Sequence, residues 1–160
     1  MKITVYHGSN GIVETPGLEG EDRPTEFGIG FYVSKEEEKA KAWALDKANR
    51  EGKTAMVSKY DLKVSGLTVK KFPTPNQEWF TFVMRNIEQG GNIFYGHEVD
   101  YIEGPAAGNY VRSMIRDYKE GKYTIEQALE VLDSLHLKTQ ICLCSKKAIR
   151  HLKYLEFKVV

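Results

Sequence analysis

The sequence predicts an α+β fold, and three observations carry that prediction. Short stretches with the two-residue period of a strand recur from the first residues to the last. Longer stretches with helix start and stop signals stand between them. No internal repeat or low-complexity tract divides the chain, so all 160 residues are expected to form one domain, residues 1–160.

Taken in order, Lys2 to His7 alternates Ile3 and Val5 against Lys2 and Thr4, as a half-buried strand does. A polar stretch from Gly8 to Glu26 follows, long for a loop inside a compact domain, where such loops carry function. Phe27 to Val33 is apolar and punctuated by Gly28 and Gly30; it leads into Ser34-Lys35-Glu36-Glu37, a capping-box pattern. The helix it opens is expected to reach Arg50, with Ala40, Trp43, Ala44 and Lys47 on one face and Gly52 as its stop. Ala55 to Asp61 and Leu67 to Lys71 read as strands about a Ser65-Gly66 turn, which suggests a hairpin. Thr74-Pro75-Asn76-Gln77 predicts a helix start, with Trp79, Phe80, Val83 and Ile87 on the apolar side and an end near Gly90.

The second half continues with a strand over Val99 to Glu103, stopped by Gly104-Pro105. Two helices, Asn109 to Glu120 and Thr124 to Leu137, are expected to form a helical hairpin, the second opened by a Thr124/Gln127 capping box. Thr139 to Ser145 is a strand, Lys146 to His151 a short helix, and Tyr154 to Val159 a closing strand.

Composition narrows the function classes. The 23 Lys and Arg against 22 Asp and Glu leave +1, which argues against a protein held on nucleic acid mainly by phosphate neutralisation. The opening Met1 to His7 is too short an apolar run for a signal peptide, and no stretch reaches the roughly 18 apolar residues of a membrane span. A soluble, cytoplasmic protein with no membrane partner is expected. Cys142 and Cys144, two residues apart in one strand, are read as reduced core thiols. His7, His97, His136 and His151 stand at no metal-ligand spacing, so no metal is expected. The chain also lacks a nucleophile elbow, a P-loop and a complete dinucleotide fingerprint.

What stands out is His7-Gly8-Ser9 at the end of the first strand, with Phe27-Gly28-Ile29-Gly30-Phe31-Tyr32 some twenty residues later. The first group offers an imidazole, a backbone that a ligand can approach closely, and a hydroxyl. The second brings aromatic faces to a bend with room beside it, which suits a flat ligand against Tyr32. On the residues alone, a satisfied strand-end histidine and a core aromatic pair explain the same pattern.

The order and spacing of these motifs resemble the ADP-ribosyltransferases of the histidine-tyrosine type, found in diphtheria-toxin-like and poly(ADP-ribose) polymerase-like catalytic domains. The whole chain, including Tyr101-Ile102-Glu103-Gly104-Pro105 and Thr139-Gln140-Ile141-Cys142, resembles a small bacterial family assigned to that fold. The resemblance implies a split β-sheet with helices between short strands, and NAD as substrate. It further implies that His7 bonds ribose hydroxyls, the Gly8 backbone pairs with the nicotinamide carboxamide, and Ser9 supports the ribose or the histidine. Tyr32 would stack on nicotinamide, with Gly30, Phe31 and Phe27 shaping the pocket. Arg23, in a loop bordering the adenosine side, would reach a phosphate.

At the third position of that family, usually a glutamate, this chain carries Gln140. An amide can bond a ribose hydroxyl but carries no charge and takes no proton. Loss of a carboxylate aimed at developing positive charge costs about 3 kcal/mol, or roughly a hundredfold in rate. Glu103 and Asp100 rank below Gln140 as candidates for the carboxylate role. The activity expected from the resemblance is therefore transfer of a single ADP-ribose to an unidentified acceptor, a protein first and a nucleic acid second, or weak NAD glycohydrolysis. The rival expectations are a non-catalytic NAD- or ADP-ribose-binding module and a protein interaction domain that keeps only the fold. The basic set Lys146, Lys147, Arg150, His151 and Lys153 reads either as a face for an anionic acceptor or as an ordinary charged surface.

Overall fold

The computed structural model describes residues 1–18, 26–88 and 98–160. Its elements in chain order are β1 (Lys2–Ser9), β2 (Phe31–Val33), α1 (Glu37–Glu51), β3 (Met56–Lys63), β4 (Val69–Lys71) and α2 (Gln77–Glu88). They continue with β5 (Tyr101–Pro105), α3 (Asn109–Lys119), α4 (Ile125–Ser134), β6 (Thr139–Leu143), α5 (Lys146–Arg150) and β7 (Leu152–Val159). The α+β reading holds. The strands form two sheets, a three-stranded one in the order β1-β3-β7 and a four-stranded one in the order β2-β6-β5-β4.

Burial explains how these parts stack. Val5, Tyr60 and Leu62 of the first sheet meet Phe31, Val33, Tyr101, Ile141 and Leu143 of the second in one apolar layer, closed by Ala148 of α5. The other face of the first sheet is covered by α1 through Ala40, Ala44 and Ala48, which meet Ala55 and Val57. The other face of the second sheet, through Ile102 and Cys142, packs on Trp79, Phe80 and Val83 of α2 and on Val111, Ile115, Ala128 and Leu132 of α3 and α4. The result is helix, sheet, sheet, helices. Burying these apolar side chains at about 25 cal/mol per Å² is the main stabilising term.

Four local expectations change. The strands about Ser65-Gly66 are not a hairpin: β3 pairs with β1 and β7, and β4 runs parallel to β5. The reason is an edge count, since β3 is the central strand of its sheet and has no edge left for β4. Ser34 does not cap α1 through a capping box; its hydroxyl accepts the Glu36 N–H, and its own backbone bridges Tyr6. α2 is capped by Asn76, whose Oδ1 accepts the Trp79 N–H at 2.9 Å, and not by Thr74. On α1 the face against the sheet is the all-alanine stripe, while Trp43 is only half-buried beneath Lys39 Nζ, 4.9 Å from the ring centre. The Thr124/Gln127 capping box forms as read, although α4 stops at Ser134. The expected end of α2 at Gly90 lies outside the described residues.

Candidate functional site

The two sheets touch at their edges where Tyr6 and Ser34 exchange backbone hydrogen bonds of 2.8 and 2.9 Å. One residue on, the ladder ends. The imidazole of His7 takes over, its Nδ1 lying 2.7 Å from the carbonyl oxygen of Tyr32. Since a carbonyl only accepts, Nδ1 carries the proton of this bond, and Nε2 is the ring nitrogen that the Tyr32 carbonyl does not engage. The ring also stacks on Phe31, centroids 4.2 Å apart and planes 24° apart. His7 is thus fixed by two neighbouring residues of β2.

Gly8 answers two demands. A Cβ there would lie 1.9 Å from the Ala40 carbonyl oxygen, so only glycine lets α1 sit this close to β1. Its backbone serves differently. The N–H and C=O of Tyr6 face β2, and strand alternation turns those of Gly8 to the same outer edge, where the ladder has ended. Ser9, buried, keeps its hydroxyl within its own turn, donating to the Gly11 carbonyl at 2.6 Å and accepting the Gly11 N–H at 3.3 Å.

Around β2 the aromatic residues separate. Phe27 is fully buried against Phe72 and Phe82 and is a core residue, not a pocket wall. The Tyr32 hydroxyl donates to the Gly28 carbonyl at 2.6 Å and accepts the Phe27 N–H at 3.0 Å, so it staples the bend before β2. Gly30 is required by clearance, for a Cβ would lie 2.5 Å from both Cys142 Sγ and the Leu143 carbonyl oxygen. Phe31 packs in the layer between the sheets, whereas Tyr32 packs on the helix-covered face. The His7 ring therefore meets the Tyr32 backbone, while the phenol lies on the opposite face of β2. The two-residue period of a strand imposes this.

Gln140 shares the Tyr32 face. Tyr32 lies opposite Cys142 in the β2–β6 register, and Gln140 is two residues along β6 on the same side. It is 4% exposed, and its Nε2 has no hydrogen-bond partner among the described residues. Glu103, next to Gly104 opposite Gln140, points to the other face, 7% exposed, with Lys35 Nζ at 3.1 Å and Lys71 Nζ at 3.4 Å. Asp100 is a structural tie: it accepts the Thr68 N–H at 2.8 Å and the Ser145 hydroxyl at 2.7 Å. Burial pushes its carboxyl up, but these bonds and the nearby Lys147 and His151 outweigh that and hold it below the usual value. Arg23 lies outside the described residues.

The sequence reading missed the pair of Glu26 and Arg112, 3.1 Å apart beside Phe27, and the half-buried Lys39, whose ammonium burial pushes below its usual range. They come from separate segments, and no spacing rule joins them. The thiol of Cys142 is pushed well up by burial and then by its contact with Cys144; both cysteines are free and buried in the core. Among the described residues no group of three or more His, Cys, Asp or Glu is arranged to hold a metal ion, and no helix is long and apolar enough to cross a membrane.

Fold and site together define an α+β protein of two face-packed sheets whose edges part beside a strand-end histidine. Residues 3–154 match the family described as Protein of unknown function (DUF3990), and the chain belongs to that family. No curated protein and no solved structure matches it.

Proposed function

We propose that the chain is an ADP-ribosyltransferase-like domain that binds NAD where β1 and β2 part and transfers a single ADP-ribose. The observation that carries the reading is the His7 bond to the Tyr32 carbonyl beside the outward edge of Gly8. A carboxamide needs one donor and one acceptor, which a strand edge supplies, and a ribose hydroxyl needs an acceptor such as Nε2. Tyr32 holds the imidazole through its carbonyl and shapes the wall beyond β2.

In the reaction the bond between C1′ and the nicotinamide nitrogen breaks, its electron pair leaving with nicotinamide, while a lone pair of the acceptor forms the new bond to C1′. Positive charge spreads over the sugar in between. Gln140 takes no proton, so the chemistry favours an acceptor that is already anionic, such as a carboxylate, over a neutral hydroxyl. The same neutral amide favours a second reading, an NAD-binding module without turnover.

Two measurements separate these. NAD bound only by the folded chain raises the melting temperature; nicotinamide release at excess protein, followed by chromatography, scores turnover. His7→Asn keeps a donor for the Tyr32 carbonyl and removes Nε2, and should weaken NAD binding about tenfold by loss of one buried bond. An unchanged affinity in a folded His7→Asn protein, or no thermal response of the parent to NAD, ends the proposal.

A further inference from the structure

We propose that two copies of this chain pair edge to edge through β7, joining their three-stranded sheets into one of six strands. This inference is independent of the NAD reading. β7 is an outer strand, and its residues Leu155, Phe157 and Val159 are 39%, 43% and 59% exposed, an apolar row on an open edge.

The backbone sets which residues can pair. Tyr6 turns its N–H and C=O away from β3, so Val5 and His7 bond toward it, and their partners Tyr60 and Ser58 bond toward β1. Val57 and Lys59 then bond toward β7, which assigns Lys158 and Glu156, their partners, to inward bonding. The Val160 N–H bonded to the Ala55 carbonyl at 3.0 Å obeys the same alternation. Phe157 and Val159 are left with N–H and C=O directed outward.

The sequence of the strand fits a copy of itself in one register. A two-fold axis at Phe157 sets Phe157 against Phe157 of the second copy as a hydrogen-bonded pair, in the regular part of β7 beyond the register shift at Leu155. It also sets Glu156 opposite Lys158 twice, on the face toward α1. Centring on Glu156 or on Lys158 would place like charges face to face. Within the chain Glu156 lies 3.8 Å from Lys59, and Lys158 pairs with Glu37, yet both side chains stay well exposed at 68% and 60%. They can reach a partner strand. His7, Ser58 and Phe157 stand in one row across the sheet, so pairing would bring the rows of the two copies end to end.

Sedimentation velocity over a range of concentrations tests the pairing. The parent chain should dimerise. Glu156→Lys and Lys158→Glu should each weaken dimerisation about tenfold or more, because each turns two opposite-charge pairs into like-charge pairs. An equimolar mixture of the two variants should dimerise again, since one copy then offers a lysine at both positions and the other a glutamate at both, so every facing pair is of opposite charge. A parent that stays monomeric, single variants that dimerise as the parent does, or a mixture no better than its parts overturns the proposal. Should either charge variant fail to fold by circular dichroism, Phe157→Lys gives the same readout: loss of the dimer supports the pairing and its persistence overturns it.

Discussion

Glu103 and Gln140 stand on neighbouring strands, one register step apart, and are almost equally buried. They differ in company. Glu103 faces the side where Lys35 and Lys71 flank its carboxylate, while the Gln140 amide nitrogen faces the helix-covered side with no partner among the described residues. A buried charge persists only when matched, and this one is matched. A buried amide nitrogen left open costs stability, and a cost kept at a strand start marks the residue as one that the fold does not need for itself. The carboxylate is matched by its neighbours and the amide nitrogen is not.

Substitutions can break that contrast, beginning with the largest. Gln140→Glu places a charge at a 4% exposed position and should cost about 3 kcal/mol at neutral pH. Burial raises the new carboxyl above its unfolded value, so the folded state binds its proton more tightly. The cost is therefore small below the usual carboxylate range and grows as pH rises through it, which chemical denaturation at several pH values will show. If Gln140 stands where the sugar reacts, the same variant releases nicotinamide faster than the parent, by up to about a hundredfold.

Glu103→Ala should cost about 2 kcal/mol, less than most broken buried pairs because the two lysines it abandons are already half in water. A loss as large as that of Gln140→Glu would mean that Glu103 does more than pair. Gln140→Leu removes the open amide and should raise stability by about 1 kcal/mol while ending any turnover. A large loss on that change would show that the amide is bonded in solution and would reverse the comparison. Lys71→Ala should stay within about 0.5 kcal/mol, as an exposed partner of a carboxylate that Lys35 still holds.

Much of the fold was legible because its signals are local. The strand periods of β1 and β7, the Thr124 capping box and the stop at Gly52, whose φ is 66°, depend on residues a few positions apart. The hairpin failed for the opposite reason. Ser65-Gly66 does turn the chain, with Gly66 at a φ of 82°, but a turn does not say which edge is free. The caps of α1 and α2 moved by two residues, because Ser34 is drawn into a bridge with Tyr6 and Asn76 is better placed than Thr74.

The candidate site divides the same way. His7, Gly8, Tyr32 and Gln140 could be singled out as residues, yet their relations could not. Strand parity puts the rings of Phe31 and Tyr32 on opposite faces, but which face meets His7 depends on how two sheets abut. By itself the sequence determined most of the elements and the family-like motifs, since each is written within about ten residues. Only the tertiary structure decided that Gly8 must admit α1, that Glu103 is matched and Gln140 is not, and that β7 is left at an edge. Those are facts about neighbours distant in the chain, and packing alone selects them.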